Sequence, residues 1–465
     1  MIATIALLAW PVIALILFTV MSPQRATVWT ILGGYLLLPA GVILVDLPGM
    51  PELDKSNIPS IAALLLAPLL AKKGDFRWPR GFVINTLIIV WLLVPFATSV
   101  GNGAPIITEL SIRPGMAIWD ALSASIHNFL EIIPFILGAG LLANEKGHND
   151  VLKIFVLGAL LYAPLVLAEI RFSPFLQNRL YGVTNWSYFM QQIRGDGFRS
   201  IAFLGHGLLV SAFIGMAAIG AWGLWKSKTA TLKIPAIAVA LFLCVVLVLN
   251  KSLGAVLLVL IIAPLLLILS QRRFLTVVLA IGTLIALYPM ARAMDLLPLH
   301  SFVSSLQAKL PERAESFAFR VMNEDLLLAR AFEKPVFGWG TFARNRVHST
   351  TEGISRDSNA VTDGTWIIIL GRYGWVGYLS YFGILTYPFL RAYKYRKIGV
   401  STATAALSGM LLLNLLDLIP NSSQSPVTWL IAGAIANVSV AKLRVRSNAP
   451  PRWAKVDGEV AQAAA

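Results

Sequence analysis

Long runs of apolar residues, separated by short polar connections, recur along almost the whole chain. A transmembrane helix needs about 20 predominantly apolar residues. Thirteen runs approach this length, the third being the shortest, and they lie near 3–21, 27–45, 58–71, 81–100, 117–142, 151–169, 199–224, 234–249, 253–269, 274–291, 366–390, 401–419 and 427–441. This pattern predicts an all-α, polytopic membrane helical bundle of about 13 spans, within a range of roughly 12–14.

One long polar segment, residues 292–362, interrupts this pattern and contains nine basic and eight acidic residues. Apolar residues recur in it at helical spacing in two stretches, the second from about Ser316 to Lys334, where Pro335 ends it. We therefore expect a folded, helical cap over the bundle. The chain then divides into a transmembrane bundle of about ten spans (1–291), a cap loop (292–362), the last three spans (363–446) and a disordered tail (447–465).

The composition excludes several classes of protein. Only 13% of the 465 residues are charged, 57% are hydrophobic and the mean hydropathy is +0.74. A soluble domain carries about a quarter charged residues, so a soluble enzyme, a disordered chain and a secreted disulfide scaffold are excluded. The single cysteine, Cys244, lies in an apolar run and supports neither a disulfide nor a thiolate metal site.

The net charge of +15 is unevenly distributed and predicts the orientation. Alternate connections are rich in Lys and Arg, from Arg25 to the cluster at 391–397, whereas the short connections between them hold only Lys55, Arg113 and Lys251. Cytoplasmic loops carry the excess of basic residues in membrane proteins. We therefore expect the N-terminus and the cap outside, and the C-terminus in the cytoplasm.

Ionisable residues inside the apolar runs are candidates for function, because a charge at the bilayer centre costs roughly 2.5–3.5 kcal/mol. In the fifth run, His127 and Glu131 lie four residues apart and so share a helix face. They could relay a proton or hold a metal, or form a mutually satisfied pair. His206, in the seventh run, is either a polar packing residue or part of a cavity. No further His or Cys stands at ligand spacing, so we predict no metal site.

Charged residues also flank the eleventh run and lie in the cap. Asp363 immediately precedes the run, where it is either a helix N-cap or a reactive carboxylate, since Asp is a preferred capping residue. Arg372, nine residues later, could reach the headgroups as a membrane anchor or meet an anionic lipid-linked substrate. In the second cap stretch, Arg320 and Glu324 have the spacing of a helical ion pair, but Arg320 could instead bind an anion.

Four stretches, taken in order, are similar to motifs of one family. They are FRSIAFLGHGLL (198–209), NKSLGAVLLVL (250–260), Arg320 followed by PVFGWG (335–340), and the frame Asp363-Gly364, nine residues, Gly374, two residues, Gly377. This arrangement resembles the O-antigen ligase and O-antigen polymerase superfamily of polytopic, lipid-linked glycan glycosyltransferases. The chain departs from the family pattern twice: Asp363 stands where the ligase signature has His, and Leu253 stands where the family's Ser-Arg-Gly turn has Arg.

The resemblance implies a membrane glycosyltransferase that transfers or polymerises polyprenyl-diphosphate-linked glycan at the outer face of the cytoplasmic (inner) membrane, in exopolysaccharide or lipopolysaccharide biosynthesis. Its partners would be the glycan donor, a saccharide or lipid-linked acceptor, and the bilayer, without nucleic acid. We expect no cofactor, and no metal either, because the outer-face carboxylates show no paired spacing and arginines can substitute for a cation at the diphosphate. Asp363 would be the base of a polymerase-like member, with His348 as a rival, and Arg320 would bind the diphosphate. The assisting residues would be Arg199, His206, Lys251 and Arg372.

Two other classes stay open. A transporter or flippase for lipid-linked oligosaccharide would also have about a dozen spans, although many transporters carry an internal repeat and none is visible here. A non-enzymatic assembly partner would have no need of Arg320, Asp363 or Arg372.

Overall fold

The computed structural model describes residues 1–45, 51–71, 76–107, 112–183, 189–194, 197–229, 234–308, 311–347, 349–351, 354–356 and 363–438. The protein is 73% helical and has almost no strands. The strands of the described part form three antiparallel pairs, Ile106–Ile107 (β1) with Ile112–Arg113 (β2), Ile193–Arg194 (β3) with Gly197–Phe198 (β4), and Ser349–Thr351 (β5) with Ile354–Arg356 (β6). The predicted all-α class is confirmed.

Most of the described helices follow the predicted apolar runs. They are α1 Ile2–Val20, α2 Pro23–Leu37, α3 Ile58–Leu70, α4 Phe82–Val100, α5 Ile118–Leu141, α6 Glu145–Phe172, α7 Leu176–Tyr181, α8 Gly207–Lys226, α9 Ala236–Leu249, α10 Leu253–Ile268, α11 Gln271–Ala293, α12 Leu299–Gln307, α13 Pro311–Phe332, α14 Thr365–Tyr395, α15 Thr402–Asp417 and α16 Pro426–Ala436. The two helices of the predicted cap are α12 and α13.

Six of the described helices are long and apolar enough to cross a bilayer, namely α1, α4, α5, α6, α8 and α11. Five shorter apolar helices, α3, α9, α10, α15 and α16, have 10–17 residues. The protein is therefore a multi-pass membrane protein. The number of about 13 spans and the division into bundle, cap and tail stay predictions.

Helices α8, α15 and α16 form the centre of the bundle and are buried at almost every position. Helix α16 packs very closely on α5, because glycines lie at their contact. A Cβ atom on Gly138 would lie 2.3 Å from the Leu430 carbonyl oxygen, and one on Gly433 would lie 2.0 Å from that of Phe135. Small residues allow such close approach between membrane helices, and Gln424, just before α16, donates to Glu131 of α5 at 2.9 Å.

The seventh span begins later than predicted, and His206 does not lie in it. Helix α8 starts at Gly207, and the His206 ring nitrogen Nδ1 accepts a hydrogen bond from the Leu208 N–H at 3.2 Å, as an N-cap. The residues before His206 form turns because the buried Glu169 carboxylate accepts the N–H groups of residues 201 and 202, at 2.9 and 2.6 Å. This long-range acceptor competes with helix formation at the start of the predicted run.

Candidate functional site

The PVFGWG segment docks onto a break in helix α14. Gly374 interrupts this helix with φ 62° and ψ −162°. On one side of the break, the N–H groups of Trp339 and Gly340 donate to the carbonyls of residues 371 and 372, at 2.9 and 2.8 Å; on the other, Trp375 N–H donates to the Pro335 carbonyl at 2.7 Å. The loop thus takes up main-chain groups that the break leaves without helical partners.

Glycine is required at this break for two reasons. Its positive φ is rarely adopted by other residues, and a Cβ on Gly374 would lie 2.4 Å from the Val336 carbonyl group. Two separate elements of the sequence motif, PVFGWG and Gly374, are therefore the two sides of one contact. This contact fixes the backbone of Arg372, whose carbonyl accepts from Gly340.

The end of α4 anchors the same loop from the other side. Thr98 Oγ1 donates to the Phe337 carbonyl at 2.6 Å, and Asn102 Nδ2 donates to the Gly338 carbonyl at 3.0 Å. Arg330 stacks on Trp339, 3.4 Å from the ring centroid, and pairs with Glu333 at 2.5 Å. Arg330 therefore has a structural role in holding the loop.

The structure brings Arg320 and Asp363 together, although 42 residues of sequence separate them. Arg320 Nε, on cap helix α13, lies 3.7 Å from Asp363 Oδ2, at the start of α14, and the two side chains are 35% and 39% exposed. Of the two interpretations of Arg320, the helical ion pair with Glu324 is not the one observed. Glu324 contacts Arg292 at 3.5 Å and the Tyr288 hydroxyl at 3.4 Å, because the end of α11 packs against that side of α13.

Asp363 is not the cap of helix α14. The residue before the helix is Gly364, and no side chain caps it. The Thr365 N–H is instead satisfied by the carbonyls of Leu418 and Asn421, at 3.0 and 3.2 Å. Burial raises the pKa of the Asp363 carboxyl above its ordinary value, against the opposing effect of the Arg320 guanidinium. A half-buried carboxylate with a raised pKa beside a fixed cation is suited to general-base chemistry.

A second carboxylate, Asp417, lies within electrostatic reach of Arg320. Asp417 is buried and accepts hydrogen bonds from Asn421 Nδ2, at 2.8 Å, and from Ser423 Oγ. The next residue, Gln424, donates to Glu131 Oε1 at 2.9 Å. The turn between α15 and α16 therefore links the surroundings of Arg320 to the polar residues of α5.

His127 and Glu131 lie on α5 as predicted, but they do not form a mutually satisfied pair. Glu131 Oε1 accepts from Gln424 and from the Tyr381 hydroxyl, at 2.9 and 3.3 Å. Arg372 is exposed and lies within electrostatic reach of both His127 and Glu131. Among the residues that the structure describes, no three His, Cys, Asp or Glu side chains are grouped as metal ligands.

The other predicted substrate-binding residues form a separate group at the ends of α8, α9 and α10. Arg199, which is buried, donates from Nη2 to the Lys251 carbonyl at 2.9 Å. His206 Nε2 lies 3.2 Å from Gln191 Oε1. The contacts known for the described residues do not join this group to Arg320 or Asp363. His348, the rival base, lies outside the described residues.

Two buried charged residues near this group were missed. Glu169 accepts five hydrogen bonds, from Ser200 Oγ and from four main-chain N–H groups of residues 175, 176, 201 and 202. Lys55 donates to the Phe203 carbonyl at 2.6 Å, and burial lowers its pKa to about 7, against the opposing effect of Asp54. Only weak signals for these two residues are present in the sequence. Glu169 is an acidic residue at the end of an apolar run, and Lys55 is a lone lysine in a connection predicted to be outside and poor in basic residues.

No protein-family model matches the chain, and no curated protein matches it significantly.

Proposed function

We propose that the protein is a glycosyltransferase of the O-antigen ligase and polymerase type, which joins polyprenyl-diphosphate-linked glycan to a second saccharide at the outer face of the cytoplasmic membrane. In this proposal the bundle has about 13 spans, the shorter apolar helices included, with the N-terminus outside and the C-terminus in the cytoplasm. The observation that carries the proposal is the pairing of Arg320 with Asp363, at 3.7 Å, where the cap meets the start of α14.

The chemistry requires one proton transfer and one displacement. Asp363 takes the proton from the acceptor hydroxyl, whose oxygen attacks the anomeric carbon of the donor sugar. The bond between that carbon and the diphosphate oxygen breaks, and polyprenyl diphosphate leaves with the bonding electrons. Arg320 stabilises the negative charge that grows on the diphosphate. Before substrate binds, the two side chains neutralise each other.

Arg372 is the best placed of the auxiliary cations. Its backbone is held by the contact between the loop and the break in α14, and its side chain is exposed within electrostatic reach of His127. We propose that it assists Arg320 in binding the diphosphate. Arg199 is buried and donates to the Lys251 carbonyl, so it is not placed to meet the diphosphate beside Arg320. We therefore propose that Arg199, His206 and Lys251 bind a more distant part of the substrate.

A transporter of lipid-linked oligosaccharide is the second candidate, favoured by one observation. Glu131, Tyr381 and Gln424 form a hydrogen-bonded group between α5, α14 and the turn before α16, and buried ionisable groups of this kind occur in transport pathways.

A deletion strain distinguishes these functions. Accumulation of single repeat units on the outer-leaflet lipid carrier indicates a polymerase, and full-length but unattached polymer indicates a ligase. Retention of the lipid-linked oligosaccharide in the inner leaflet indicates a transporter and contradicts the proposal.

A further inference from the structure

Cap helix α13 exposes an apolar stripe. Phe319, Met322 and Leu326 are 44%, 55% and 45% exposed, and their spacing of three and four residues places them on one helix face. The other side of the helix buries Val321, Leu327 and Leu328. A helix that covers a protein in water carries polar residues on its outer face. The exposed stripe therefore indicates an apolar partner.

The contacts of α13 give its depth relative to the bundle. Glu324 and Asp325 contact Arg292 at 3.5 and 2.8 Å, in the last turn of α11, and Glu324 also contacts Tyr288, one turn deeper. Helix α11 is long and apolar enough to span a membrane. At this level Leu287 and Met290 of α11, and Met294 directly after it, expose their apolar side chains. Helix α13 thus packs at a level where its neighbour α11 still exposes apolar side chains.

Further apolar side chains are exposed between the two helices, next to the exposed pair of His300 with Asp325 at 3.3 Å. Leu296, in the connection after α11, and Phe302, on α12, are both exposed. Helix α12 has no buried residue, and Phe302 packs edge-on against Phe317 of α13, with the ring centroids 5.5 Å apart. Exposed apolar side chains therefore recur from α11 through α12 to the stripe on α13, with the polar pair His300–Asp325 between them.

We infer that the cap lies in the outer leaflet, with the stripe Phe319–Met322–Leu326 immersed among lipids, as in interfacial amphipathic helices. The partner of this face is the bilayer itself. A second copy of the chain fits less well, because the stripe lies at the level where α11, a helix able to span a membrane, exposes Leu287 and Met290. Arg320 then lies at the depth of the lipid phosphates. If the proposed function holds, a lipid-linked diphosphate reaches Arg320 without leaving the leaflet.

The test measures the depth of the stripe in the full chain. In a Cys244→Ser background, an environment-sensitive fluorophore is attached to Met322→Cys or to Phe319→Cys. The protein is then reconstituted into phosphatidylcholine–phosphatidylglycerol vesicles. These vesicles contain a lipid with a doxyl group near its headgroup, which quenches a fluorophore at that depth. Met290→Cys is the lipid-facing control and the exposed Ser422→Cys the aqueous control. We expect quenching at both stripe positions close to that at Met290→Cys and at least about twice that at Ser422→Cys.

Two other outcomes would overturn the inference. Quenching no greater than at Ser422→Cys, with ready labelling by a membrane-impermeant maleimide, overturns the inference and leaves a water-exposed cap or one covered by a soluble partner. Disulfide cross-linking between two Met322→Cys chains assigns the stripe to a second copy and also overturns it. Because no substrate is added, these results are independent of the proposed glycosyltransferase activity.

Discussion

Replacing Asp363 by Asn removes the proton-accepting group and keeps the size of the side chain. The ion pair with Arg320 is lost, but both side chains are more than a third exposed, and pairs of this kind contribute about 0–1 kcal/mol to stability. No helix cap is lost either, since Gly364 precedes α14 and no side chain caps it. We therefore expect the free energy of unfolding and the amount of protein in the membrane to change little.

The effect on the reaction is expected to be much larger. Loss of a general base costs about 10² to 10⁴ in rate, which corresponds to about 3–5 kcal/mol in the activation free energy. The assay follows polymer or transfer product in membranes, normalised to protein abundance. Because burial raises the pKa of Asp363 and the base works when deprotonated, the wild-type rate should fall as the pH drops through a value above the ordinary Asp pKa. The residual rate of Asp363→Asn should lack this dependence.

The paired control is His348→Ala, which we expect to retain a substantial part of the activity. Normal turnover by Asp363→Asn would refute the role of Asp363 as the base. An active Asn variant beside an inactive His348→Ala variant would transfer that role to His348.

Three further predictions concern the diphosphate, the loop and the orientation. Arg320→Lys should lose most activity at normal abundance, because Lys keeps the charge but not the planar fork of donors; normal product chain lengths would exclude a ligand role. Gly374→Ala should lower the free energy of unfolding by about 1–3 kcal/mol through backbone strain, measured by thermal unfolding in detergent. The control Gly254→Ala, where a Cβ meets nothing within 4 Å, should leave it unchanged. A Gly374→Ala variant as stable as the wild type would contradict the contact between the PVFGWG loop and the break in α14. In a Cys244→Ser background, Ser304→Cys should react with an impermeant reagent from outside and Ser227→Cys only from the cytoplasm; reaction of Ser304→Cys from the cytoplasm would invert the orientation.

The helices were predictable because apolar length and period are local properties of the sequence. The predicted limits of α4, α5 and α11 agree with the observed ones to within a few residues. The start of α8 was not predictable in this way. It depends on Glu169, more than 30 residues earlier, which takes up the main-chain N–H groups of residues 201 and 202.

The candidate site was predictable only in part. Sequence order and resemblance selected Arg320 and Asp363 separately, and the structure adds that they meet. The partners of Glu131 could not be anticipated, because Tyr381 and Gln424 come from 250 and 293 residues away. Their positions depend on the close packing of α5 against α16, which a one-dimensional pattern does not contain.

The most direct test of the central claim uses the purified full-length protein in vesicles that contain an oligosaccharide linked to polyprenyl diphosphate. Both the glycan product and the released polyprenyl diphosphate are quantified, with Asp363→Asn as the matched control. The proposed function predicts one polyprenyl diphosphate released for each glycosidic bond formed, and neither product from the Asn variant. Movement of intact lipid-linked oligosaccharide across the bilayer, with no release of polyprenyl diphosphate, would contradict it.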